Sequence, residues 1–77
     1  MTMNQATTQR SRCRYTVKEY ESGQPYITCE LLDHLDLGVT GQWSWSFDLP
    51  PATTISEAEE IARWMREHLV NVQYTRY

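Results

Sequence analysis

The sequence predicts an α+β domain of two layers, a three-stranded antiparallel meander packed on one C-terminal helix in the order β-β-β-α. Three observations carry this. Residues 42–49 alternate strictly between polar and apolar side chains, which is the period of a half-buried strand. Residues 12–32 form two further alternating runs around a turn-forming Glu-Ser-Gly-Gln-Pro stretch. From Ile55 to about Val70 the apolar residues instead recur at helical spacing, behind a capping signal. A chain of 77 residues with 40% hydrophobic content makes one small domain rather than two.

Residues 1–11 are rich in Thr, Asn and Gln and lack periodicity, so they read as a disordered tail, with 12–77 as the folded domain. In the first strand, 12–20, Cys13, Tyr15 and Val17 take one face, and Arg14, Thr16, Lys18 and Tyr20 take the other. Gly23 is available for a positive φ in the turn that follows. In the second strand, 26–32, Ile27, Cys29 and Leu31 share a face. Centring the turn on Gly23 sets Val17 opposite Cys29, Tyr15 opposite Leu31 and Tyr20 opposite Tyr26, whereas a one-residue slip would put Val17 against Glu30. In that register Cys13 faces Asp33, about four residues from Cys29, too far for a disulfide, so both cysteines read as reduced thiols.

Asp33 to Gly41 is too short and too glycine-rich for a regular helix and reads as a loop, although Leu35, Leu37 and Val39 are more apolar than a surface loop requires. In the third strand Trp43, Trp45, Phe47 and Leu49 share one face, the expected platform for the helix. Pro50 and Pro51 close the strand. Thr54 and Glu57 have capping-box spacing, with Ser56 and Glu59 as the alternative two residues on. Glu57, Glu59 and Glu60 precede Arg63 and Arg66, the charge order that suits the helix dipole. Ile55, Ala58, Ile61, Ala62, Met65 and Leu69 fall on one arc, with Trp64 and His68 along its border. Asn71 is a natural helix stop, and residues 72–77 contain enough β-formers for a short fourth strand at an edge.

The formal net charge is −3, divided into +4 over residues 1–18 and −7 over residues 19–77. That balance argues against general nucleic-acid binding. A nucleic-acid module that uses Arg10, Arg12, Arg14 and the outer sheet face is kept as one alternative, and an acidic inhibitor or mimic as another. No apolar run is long enough to span a membrane and no secretory h-region is visible, so a cytoplasmic protein is expected. Asp33, His34 and Asp36 match no metal-site spacing. There is no phosphate-cradling Gly-rich loop, GxSxG or HExxH, and no context that would make a thiol dyad of either Cys with His34 or His68, so neither a catalytic site nor a cofactor is expected. The spare apolar and aromatic residues point instead to a non-enzymatic domain that binds another protein or a second copy of itself. The residues expected on that surface are Trp64, His68, Leu35, Leu37, Tyr20 and Tyr26. A small-ligand pocket between helix and sheet near Trp43 and Trp64 is a further option.

Overall fold

The structure, a computed structural model, describes residues 7–33 and 44–76. Its elements are β1 (Thr7–Glu19), β2 (Pro25–Leu31), β3 (Ser44–Asp48), α1 (Ile55–His68) and β4 (Asn71–Arg76). The fold is α+β, with a four-stranded antiparallel sheet in the order β3-β2-β1-β4 and the helix on one face. The meander is as expected. The fourth strand forms and lies beside β1, on the edge away from β2.

The 13-residue β1 is the spine. It begins at Thr7, ahead of the expected Arg12, because residues 7–12 pair with β4 while residues 13–19 pair with β2 on the opposite edge. The pairing changes edge at Arg12–Cys13, and Asp33 holds the junction. Its carboxylate accepts the Arg12 backbone N–H at 2.9 Å and the Arg12 guanidinium at 2.7 Å. That guanidinium holds the Asp33 carboxyl below its ordinary range.

The β1–β2 register differs from the expected one by two residues: Tyr15 faces Cys29, Val17 faces Ile27 and Cys13 faces Leu31. A two-residue shift leaves every side chain on its face, so alternation cannot detect it. The turn decides. Gly23 N–H donates to the Tyr20 carbonyl and Tyr20 N–H to the Gln24 carbonyl, and Gly23 takes a φ of 88°. A turn closed by a left-handed glycine places Glu19 opposite Pro25. Cys13 is therefore one diagonal step from Cys29, and both are free thiols.

Thr54 caps α1 as a capping box, its Oγ1 accepting the Glu57 N–H at 3.1 Å while Glu57 Oε1 accepts the Thr54 N–H at 2.9 Å. These bonds lower the Glu57 pKa. The helix ends at His68 with Leu69 as its C-cap; Asn71, the expected stop, instead opens β4. Before the helix, Thr53 N–H donates to the Pro50 carbonyl, and Ala52 sits at φ 69°. This is a type II turn with Ala where Gly is favoured.

The core is thin. Tyr15, Ile27, Cys29 and Ala62 form it, and Cys13, Val17, Leu49, Met65 and Val72 pack around them. Ala58 and Ala62 are fully buried, so the helix approaches the sheet through its smallest side chains. Burial, then Cys13, pushes the Cys29 thiol up to about 12, and burial raises the Tyr15 phenol as well.

Two outcomes follow from these local features. Ala52→Gly is expected to raise stability by about 0.5–1 kcal/mol in urea titration, because relief of left-handed strain exceeds the added unfolded-chain entropy. Gly23→Ala is expected to lower it by about 1 kcal/mol, although a Cβ there meets nothing within 4 Å. The pH dependence of the urea midpoint should have two limbs. Asp33 and Glu57 have depressed folded values, so their contribution is present above the ordinary carboxylate range and lost as pH falls below about 4. Cys29 has a raised folded value, so its contribution is present below about 8.5 and lost as pH climbs toward the folded value of about 12. Asp33→Asn should make the acid limb shallower, leaving the Glu57 part, and Cys29→Ala should make the alkaline limb shallower, leaving the part due to the raised Tyr15 phenol.

Candidate functional site

A helix about 10 Å across covers two strands spaced about 4.8 Å apart, not four. Here it lies over β1 and β2. Two hydrogen bonds fix it there. The Tyr15 hydroxyl donates to the Leu69 carbonyl at 2.8 Å, and the Arg66 guanidinium donates to the Tyr15 carbonyl at 3.0 Å. The Arg12 carbonyl accepts Leu32 N–H on the β2 side. Carbonyls alternate along a strand, so that of Tyr15 points to the outer edge of β1, past the start of β4. Arg66 therefore hangs over that edge. The opposite flank of the helix, with Ile61, Trp64 and His68, is turned toward β3.

This offset corrects the expected role of the third strand. Trp45 and Phe47 do not lie under the helix; they are 39% and 45% exposed, and all five residues of β3 are exposed. They remain on the helix-side face, in register with Cys29 and Ile27. Between them and α1 runs an open cleft of about 440 Å³, lined by Tyr15, Trp45, Phe47, Met65, Leu69 and Val72 among others. Its lining is almost wholly apolar.

Of the residues expected on a partner surface, Trp64 is 53% exposed and stacks on His68 with ring centroids 4.5 Å apart. His68 Nδ1 lies 2.9 Å from the Trp64 carbonyl, which only accepts, so Nδ1 carries the proton. Tyr20 and Tyr26 stack at 4.3 Å on the outer face of the sheet, away from the cleft. They are not register partners, since Tyr26 faces Lys18. The Tyr20 hydroxyl donates to Asp48 Oδ1 at 2.7 Å, a bond that raises its own pKa and ties the end of β3 to the hairpin. Leu35, Leu37 and Trp43 lie outside the described residues.

The sequence reading missed Trp45 and Phe47 as surface residues. The available signal was the pair Ala58 and Ala62, which sets a close helix–sheet approach and so a short lateral reach.

The outer face carries a second feature. Because β1 extends to Thr7, the side chains of Arg10, Arg12, Arg14 and Lys18 share one face of one strand, with Asn71 and Gln73 of β4 opposite Arg12 and Arg10. Glu30 faces Arg14, and Asp33 holds Arg12. Among the described residues no three His, Cys, Asp or Glu side chains converge on a metal site, and no helix is long and apolar enough to cross a membrane. No protein-family model, curated protein or solved structure matches the chain, so the site is read from its own geometry.

Proposed function

We propose that the chain is a small, non-enzymatic, cytoplasmic domain that acts by binding another protein chain through the aromatic cleft between α1 and β3. The observation that supports this is the exposure of Trp45 and Phe47, two large apolar side chains on the core-facing side of a strand that the helix does not cover. Contiguous apolar surface beside a half-exposed Trp is the usual character of a protein contact. The cleft is broad and open, with few convergent polar groups, which suits a macromolecule better than a small ligand. Two free cysteines fit a reducing compartment.

A second reading, nucleic-acid binding by the outer face, is favoured by one observation. The three arginines that read as part of a flexible tail or its border are fixed in a straight row on β1. It ranks below the first because Asp33 and Glu30 lie within that row and the whole chain is acidic.

Phe47→Ser tests the main reading. Its side chain is half exposed, so the variant should keep the wild-type circular dichroism while losing any self-association or retained partner. A wild-type chain that stays monomeric up to about 1 mM in sedimentation velocity and retains no protein when immobilised overturns it. For the second reading, wild-type affinity for duplex DNA should fall as salt rises and should be lost in Arg10→Ala/Arg14→Ala.

A further inference from the structure

We infer that the chain bound at this surface is a second copy of the same chain, joined edge to edge through β3; this rests on the protein-binding reading above. Among the described residues nothing pairs with the outward row of β3. β2 pairs with β3 through Ile27–Phe47 and Cys29–Trp45, so the N–H and C=O groups of Ser44, Ser46 and Asp48 point away from the sheet. An unpaired edge is ordinarily blunted by Lys, Pro, a bulge or a covering element. Ser44-Trp45-Ser46-Phe47-Asp48 has none of the first three, and the helix lies elsewhere.

The strand also reads the same way in both directions, polar-aromatic-polar-aromatic-polar. Turned end for end about Ser46, it pairs with itself. Ser46 of one copy meets Ser46 of the other, and Ser44 meets Asp48, as hydrogen-bonded pairs. Trp45 meets Phe47 twice, at the closer non-hydrogen-bonded positions where cross-strand aromatics interact best. The charge is compatible, because the only ionisable side chain, Asp48, falls opposite a serine and is already held by Tyr20. Pro50, two residues beyond the strand, has no N–H and ends the pairing there. The two-fold arrangement makes one continuous sheet with both helices on the same face. The two clefts merge into a trough floored by four aromatic rings.

Sedimentation velocity and a pair of cysteine probes decide the matter. Ser46→Pro removes only an outward N–H, so the monomer should keep its circular dichroism while self-association weakens by about tenfold or more. Under mild oxidation Ser46→Cys should cross-link to itself at least about tenfold faster than Ser44→Cys, because only position 46 meets itself across the axis. Association by the wild type that Ser46→Pro leaves unchanged, or equal cross-linking at the two positions, overturns the β3 pairing. If Phe47→Ser nevertheless abolishes that association, the cleft reading survives. A wild-type chain that stays monomeric but holds a different protein also overturns the second copy, and assigns the cleft to that partner.

Discussion

The position of the helix depends on Tyr15, which is bonded to α1 in both directions. Its hydroxyl satisfies the Leu69 carbonyl, one of the groups a helix end leaves without an intrahelical partner. Its own carbonyl, beyond the reach of β4, is satisfied by Arg66. One residue at the centre of the longest strand therefore fixes both the lateral position and the direction of α1. Its ring is also a quarter of the buried cluster. Burial keeps the phenol protonated, and the hydroxyl can donate to Leu69 only in that form.

The uncovered part of the sheet follows from that anchor. Ala58 and Ala62 bring the helix down onto β1 and β2, and a helix held close through small residues reaches little to either side. A sheet four strands wide then exceeds its single helix by β3 on one side and β4 on the other. Trp45 and Phe47 lie in the excess, and their size makes it consequential. Polar residues in their place would have produced an ordinary solvated strand, whereas two aromatics leave apolar area that another chain can remove from water.

Much of this was legible in the residues. The α+β class, the capping box at Thr54 and Glu57, the left-handed Gly23 and the face assignment of every described strand residue in 12–32 follow from spacing and local chemistry. What failed was long-range. The two-residue register depends on turn conformation, to which a period of two is blind. The start of β1 at Thr7 was hidden because residues 7–11 are polar, and their pairing comes from β4, more than 60 residues away in sequence. The exposure of Trp45 and Phe47 was hidden because an alternating strand shows which face is apolar but not whether anything lies over it.

The edges of the sheet are treated unequally, and this bears on how β3 would be used. The outer edge of β1 beyond β4 is guarded, since Arg66 occupies the Tyr15 carbonyl. Among the described residues the edge of β3 carries no such guard, yet the strand is not loose. Its inner side is paired to β2 along its whole length, and from the outer face Asp48 is bonded to Tyr20, which is stacked on Tyr26. The clamp holds the strand extended in a fixed register although the helix does not press on it. A strand already ordered loses little further conformational freedom on pairing, which is the condition under which a short edge binds with useful affinity. On the proposed pairing, the Tyr20–Tyr26 pair would contribute to binding without touching the partner. It preorganises the edge from the face opposite the cleft.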